Sequence, residues 1–417
     1  MNWNDKIDGP VTLVKTFKPY LKIISKGENS DGGTYRRNVE RELHRFVSWA
    51  KGEEGPDDWS GIVNCDKSEP STSDLSPDVF QEYARYLNAQ ANLKQSTAIV
   101  YYYMIAGWVS WCAAERIIDA DYADRARQTN IISGGIEERP SIQQRWSLEE
   151  LSTLRSHVDK AANDAVQQFE TNYDKKIEKY PPPSEDIQRK WYDILRAHRN
   201  RALVYVIGLT AVRGSEIFRL QEDPRRIGLK WKHVHFDDGY LSVYRKTQSW
   251  DAAPMPGPVA DALTSYRQWL RNPPEEWPVF QTFHYPTVTQ YVKNKLTKRG
   301  WNDQTIADAR QDYVYDMFLA LSEDIEIPSM TTDGCRKTLA SLCEEADIEP
   351  EKHDYLTPHG ARRGIGEILV RQFDFKTAAR YLDNSVEVVR EHYSHIEAKK
   401  LADLISPALT DPETENK

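Results

Sequence analysis

The feature that most limits what this chain can fold into is the spacing of its apolar residues. In one stretch after another they recur every third or fourth position, the repeat of an α-helix buried on one face. Val39, Leu43, Phe46, Val47 and Ala50 keep that rhythm across residues 34–50. Ser76-Pro77 opens a second helix running through Leu87, with serine as cap and proline at the first helical position. A third spans about Gln95 to Ile117, with Ile99, Tyr102, Ala106 and Val109 on one face. Further on, Ser147 and Glu150 have the spacing of a capping box. Ala202 to Leu209 is nearly continuous hydrophobe and predicts a buried helix. Helical patterns return over Val259–Leu270, Thr287–Leu296, Thr332–Ala346, Thr357–Val370 and Val386–Ile396. One stretch departs from the rhythm. Val234 to Lys246 sets Asp238-Gly239 between β-prone residues and predicts a hairpin with a tight turn. The expected class is mainly α with a small β-sheet.

With 417 residues the chain is long enough for two domains and a sizeable core. Between Gln128 and Ser141 the periodicity lapses into Asn, Ser, Gly-Gly and Pro, which predicts a linker. The expected organisation is a basic N-terminal extension over residues 1–32 holding Lys15, Lys18, Lys22 and Lys26, then a helical bundle over 33–133 and a linker over 134–146. A larger domain over 147–405 and an acidic tail over 406–417 follow. Residues 160–190, polar and containing Pro181-Pro182-Pro183, read as an insertion, as does 297–328. No apolar run approaches the roughly eighteen residues of a membrane span, and Met1-Asn-Trp-Asn-Asp-Lys does not open like a signal peptide. Cys65, Cys112, Cys335 and Cys343 are too sparse and irregular for a disulfide framework or a zinc site. A soluble, reduced, cytoplasmic protein is expected, with no membrane partner.

The formal charge of −9 argues against a nucleic-acid partner only if charge is evenly spread. It is not. Residues 189–250 hold thirteen Lys/Arg against six Asp/Glu, while 51–74 hold two against seven and 323–351 two against nine. A basic stretch in an acidic chain can still neutralise phosphates, because affinity follows local contacts. The plainer alternative is a solvated face with ordinary i,i+4 pairs.

Four separated segments supply groups suited to displacement at a phosphodiester. Leu209-Thr-Ala-Val-Arg213-Gly-Ser-Glu216-Ile217 ends the buried helix and sets an arginine at the turn opening the next. Arg245-Lys246-Thr247 closes the hairpin. Thr357-Pro-His359-Gly-Ala-Arg362-Arg363 starts a helix with Thr357 as cap, so that His359 and Arg362 share a face. Last comes Arg390-Glu-His-Tyr393-Ser-His395. Each group has a structural alternative: Arg213 as an ion-pair partner of Glu216, Lys246 as a solvated lysine, His359 as a surface histidine. Tyr393, at helical spacing from Val386, Val389 and Ile396, has the alternative of a core tyrosine.

Taken together, the order and spacing of these segments resemble the tyrosine recombinase (phage integrase, Xer-like) family. That family reads Arg-x-Ser-Glu-Leu where this chain has Arg213-Gly-Ser-Glu216-Ile217, and puts a lysine at the end of a β-hairpin, here Lys246. Its Pro-His-x-x-Arg-His is matched by Pro358-His359-Gly-Ala-Arg362-Arg363 in all but the last position, and its Tyr-x-His by Tyr393-Ser394-His395. Thr34-Tyr35 with Leu43, Phe46 and Trp49, and Ser96-Thr97 through Trp111, resemble the first and last helices of the family's core-binding domain. One departure stands out: Asn384 sits where the family usually has a histidine or tryptophan nine residues before the tyrosine.

The resemblance implies a helical core-binding domain followed by an α+β catalytic domain, double-stranded DNA as substrate, a homotetramer on paired sites, and no metal, ATP or other cofactor. Arg213 and Arg362 would donate forked hydrogen bonds to the nonbridging oxygens, with Asn384 completing the contacts as an uncharged donor. Tyr393 would be the nucleophile, forming a 3′-phosphotyrosine link. His359 would help take its proton, and Lys246 would protonate the departing 5′-oxygen. The same groups would serve a type IB topoisomerase or a resolvase. Asn384 also leaves open a non-catalytic DNA-binding protein with a decayed site. The reading requires the two guanidiniums to face one point, and the tyrosine hydroxyl not to lie buried in apolar packing.

Overall fold

The repeated apolar spacing resolves, among the described residues, into three hydrophobic clusters, one in the first unit and two in the second. In the computed structural model the described residues are 10–25, 33–56, 59–62, 69–124, 143–172, 184–221 and 223–410. The chain divides into one unit of Met1–Ser141 with Glu222–Arg225 and a second of Ile142–Gln221 with Arg226–Lys417. The class is mainly α-helical with one small sheet, as the periodicity implied.

The first unit is built from α1 (Leu13–Ile23), α2 (Thr34–Ala50), α3 (Pro77–Ala89) and α4 (Gln95–Ala114). Its centre is aromatic: Phe46 stacks on Phe80 with centroids 5.6 Å apart and meets Tyr83 edge-on at 4.9 Å. α1 corrects the expectation of a basic extension. Lys15, Lys18 and Lys22 do lie exposed, but Leu13, Phe17, Tyr20 and Leu21 alternate with them at helical spacing and are buried in this core. Trp108 adds a hydrogen bond from Nε1 to Thr16 Oγ1 at 2.9 Å. Lys26, Cys65 and most of the expected linker lie outside the described residues.

The second unit begins with the expected capping box. Glu150 N–H donates to Ser147 Oγ at 3.0 Å, and Ser147 N–H donates to the Glu150 carboxylate at 2.6 Å. The helix it opens, α5 (Leu148–Asn172), packs on the long α6 (Glu185–Thr210). The expected insertion at 160–190 is therefore helical at both ends. Ala162 and Phe169 continue the buried face of α5, and Phe169 meets Trp191 of α6 edge-on at 5.6 Å. Residues 173–183, including the three prolines, lie outside the described residues.

After the one-turn α7 (Gly214–Ile217), the hairpin forms at the expected place, from β1 (Val234–His235) and β2 (Tyr240–Tyr244). Gly239 supplies the left-handed backbone at its turn, with φ +68°. β3 (Trp250–Pro254) pairs antiparallel with β2, Tyr244 opposite Trp250, and gives the order β1-β2-β3. Only Ala253 of β3 is buried and its last residue is proline, so neither alternation nor β-propensity announced this edge strand. α8 (Gly257–Trp269) covers α6, and α9 (Tyr285–Lys298) follows. The second expected insertion contains α10 (Asp303–Arg310) and α11 (Asp316–Ser322), which add Ile306, Met317, Phe318 and Leu319 to the core. The remaining helices are α12 (Thr332–Glu345), α13 (Pro358–Gln372), α14 (Phe375–Leu382) and α15 (Val386–Thr410). Among the described residues no helix is long and apolar enough to cross a membrane.

Candidate active site

Two helix ends and one arginine define the site. α6 stops at Ala211, which adopts a left-handed conformation with φ 56°, and α14 stops at Asp383 with φ 48°. Such ends leave carbonyls without intrahelical partners. Arg362 of α13 takes one from each: its Nη1 donates to Ala211 O at 2.5 Å and its Nη2 donates to Leu382 O. The sequence sets α13 in register by its cap, as expected. Thr357 Oγ1 accepts from Gly360 N–H at 3.1 Å, with Pro358 at the first helical position. Gln144 fixes that cap in turn, its Oε1 accepting from Thr357 N–H at 2.7 Å.

Arg213 stands at the N-cap of α7, two residues past the left-handed turn. Its Nη2 lies 3.5 Å from Asn384 Oδ1, and Arg362 Nη2 lies 3.4 Å from the same oxygen. Arg213, Arg362 and Asn384 are thus brought together, with Asn384 accepting through Oδ1 rather than donating as expected.

Charge around this point is arranged by Glu216, whose side chain is fully buried. It accepts from Arg213 N–H at 2.9 Å, from Arg213 Nη1 at 2.8 Å and from Arg245 Nη1 at 3.1 Å. Arg213 therefore does make the ion pair that was its structural alternative. Arg245 also lies 3.3 Å from Asp251 and 3.3 Å from Asp383. Arg362, by contrast, is 5% exposed and pairs with no carboxylate among the described residues. Burial and the charge of Arg213 lower its pKa to about 10, which leaves it charged at neutral pH.

His359 lies on α13 beside this cluster. Partial burial of its ring, then the charges of Arg363, Arg362 and Arg213, push its pKa down to about 4, so the imidazole is neutral at pH 7. Lys246 is exposed in the turn between β2 and β3 and makes no hydrogen bond or ion pair among the described residues. Arg226 anchors the base of that turn, its Nη1 donating to Tyr244 O at 2.9 Å and its Nη2 to Arg245 O at 3.1 Å.

Tyr393 takes the core-tyrosine alternative that its helical spacing allowed, and the requirement that its hydroxyl not lie buried in apolar packing is not met. Its ring is 5% exposed and packs in an apolar cluster with Ile365, Leu382, Val389 and Ile396. Its hydroxyl donates to Arg363 O at 3.0 Å. The hydroxyl lies over Gly366, where a Cβ would collide with it. Burial raises the phenol pKa, opposed by the charges of Arg145 and Arg363. Arg145 lies 5.8 Å over the ring, bonds Glu367 at 2.8 Å and has Nη1 3.2 Å from His395 Nε2.

The sequence reading left out four contributors: Glu216 as a bridge between two arginines, Arg245, Asp383 and Arg145. Buried charge beside the first arginine was the one available signal, in Glu216. Asp383 and Arg145 carried none. Among the described residues no group of three or more His, Cys, Asp or Glu could hold a metal ion.

No family model matches the sequence, and no curated protein matches it. The structure is similar to solved recombinases and integrases at low sequence identity. The crystal structure of XerA recombinase matches at 13% identity and TM-score 0.36, over 95% of this chain and 97% of that one. A lambda integrase dimer bound to a COC′ core site matches at 12% identity and TM-score 0.49, over 92% and 78%. An integrase from mycobacterium phage Brujita matches at 10% identity and TM-score 0.29, over 89% and 82%.

Proposed function

We propose that this chain is a site-specific DNA recombinase that cleaves and rejoins strands through a 3′-phosphotyrosine at Tyr393. The observation that carries the reading is the approach of two guanidiniums to one oxygen. Arg213 and Arg362 both reach Asn384 Oδ1, at 3.5 and 3.4 Å, and Arg362 makes no direct ion pair among the described residues. An acceptor oxygen between two forked donors marks where a nonbridging phosphate oxygen would sit.

The remaining roles follow from chemistry. A phosphodiester gains negative charge on its nonbridging oxygens as a nucleophile adds, and the two arginines offset that gain. A neutral His359 can accept the proton that Tyr393 must lose. Lys246, exposed on its turn and without an ion pair among the described residues, is suited to protonate the leaving 5′-oxygen. For attack, the Tyr393 hydroxyl has to leave the Arg363 carbonyl, so α15 or the tyrosine side chain shifts on DNA binding. In this reading the helical bundle of residues 33–133 binds DNA, residues 147–405 carry the chemistry, and the protein acts as a tetramer on two duplexes.

The buried hydroxyl favours a second reading, a DNA-binding protein that no longer cleaves. Denaturing electrophoresis separates the two. The chain is incubated with nicked suicide duplexes drawn from a randomised pool that it binds. A shifted, denaturant-resistant band that disappears in Tyr393→Phe supports cleavage. Binding without any band, or the same band in Tyr393→Phe, overturns it.

A further inference from the structure

A cleft of about 460 Å³ opens in the second unit between α6, the segment at 282–284 and the start of α12, and it uses none of the site residues discussed above. Two of its lining residues are arginines with no carboxylate partner among the described residues. Arg199 is 5% exposed; its Nε and Nη2 both donate to the neutral Asn200 Oδ1, at 3.1 and 2.5 Å, and its Cζ lies 4.6 Å over the Phe283 ring. Its Nη1 has no acceptor among the described residues. Arg219 makes no side-chain hydrogen bond or ion pair among the described residues, and its Nε is buried without a partner. The backbone of Arg219 is fixed, its N–H donating to Met330 O at 2.9 Å, which sets its side chain beside the start of α12.

The rest of the lining suits an anion. Thr331, Asp333 and Gly334 at the start of the fourteen-residue α12 line this end of the cleft and set the positive pole of the helix there, with the N–H groups of Thr332, Gly334 and Cys335 already donating to Arg219 O, Thr331 Oγ1 and Thr331 O. Arg196 and Lys337 stand at the rim, where Asp333 is already paired with Lys337 at 3.2 Å. A second cleft of about 390 Å³ shares Arg196, Arg199, Lys337 and Thr338, so Arg199 is approached from two openings. A guanidinium taken out of water with no counter-charge is costly, and an oxyanion that fills the cleft relieves the cost.

We propose that this cleft is a second phosphate-binding site, built on Arg199 and Arg219 and distinct in its residues from the Arg213–Arg362 pair. The phosphate belongs either to the backbone of bound DNA or to a small phosphorylated molecule, and the two sources are distinguishable. The full-length chain and Arg219→Gln are compared in two arms, with circular dichroism to establish folding. One arm is the thermal midpoint with inorganic phosphate against chloride at equal ionic strength. The other is duplex affinity as a function of salt.

Loss of the phosphate-induced rise in Arg219→Gln assigns a free phosphate. A roughly fivefold weaker duplex affinity, with the log–log salt slope reduced by about one, assigns a backbone phosphate. Folded Arg219→Gln and Arg199→Lys proteins that match the wild type in both arms overturn the proposal. A phosphate response that survives both substitutions belongs to Arg213 and Arg362, and together with an unchanged duplex affinity it overturns the proposal equally. Neither arm reads strand cleavage, so failure here and failure at Tyr393 are told apart.

Discussion

Single side chains in this protein are governed by which charges have partners. Glu216 shares its buried carboxylate between Arg213 and Arg245, while Arg362 makes no direct ion pair among the described residues. Lys246 likewise has no ion pair among the described residues but is exposed, the setting of a mobile acid. Lys246→Ala is expected to slow single-turnover cleavage by roughly 10²–10⁴-fold, the usual contribution of general acid catalysis, with duplex affinity nearly intact. Equal losses in both would make it a phosphate contact instead. His359 gives a pH test. Its folded pKa of about 4 lies below the ordinary 6.5, so the folded state binds fewer protons than the unfolded chain between those values. The stability it contributes is complete above pH 6.5 and is lost as pH falls toward 4. In NMR titration its ring protons should move near pH 4 in the free protein, and at higher pH once a phosphate lies between the arginines. A free-protein midpoint near 6.5 would contradict the placement of His359 among the guanidiniums. The residue types of the site were legible because their segments have recognisable spacing. The Arg245–Glu216 bond was not, since it joins segments 29 positions apart and nothing in either segment names the other.

At the level of elements, helices with clean three-and-four spacing formed where that spacing said, and their caps at Ser147 and Thr357 formed with them. What escaped the sequence were elements whose apolar residues are diluted by charge. α1 hides Leu13, Phe17 and Tyr20 among lysines, and α5 continues through a polar stretch by burying little more than Ala162 and Phe169. α14 has only eight residues, too few for a period to declare itself. These short elements matter, because the end of α14 supplies both a carbonyl to Arg362 and the position of Asn384. Packing between α13 and α15 is equally specific. Gly366 leaves the only room for the Tyr393 ring and hydroxyl in that seat, so Gly366→Ala must displace the ring. Overpacking of this kind costs about 1–3 kcal/mol, measurable as a lower urea midpoint with an unchanged slope. A midpoint unchanged within a few tenths of a kcal/mol would show that Tyr393 is not held there.

For the whole molecule, a net charge of −9 coexists with a surplus of seven positive charges over residues 189–250, and that surplus surrounds Arg199, Arg213, Arg219 and Lys246. Mass spectrometry of the covalent complex tests the central claim most directly. After nuclease trimming, trypsin cuts behind Arg390 and Lys399 and releases Glu391–Lys399, which holds Tyr393 as its one tyrosine among the 22 of the chain. A nucleotide remnant is expected on that peptide and on no other. A remnant on a different tyrosine, or DNA-bound protein with every tyrosine unmodified, would contradict it.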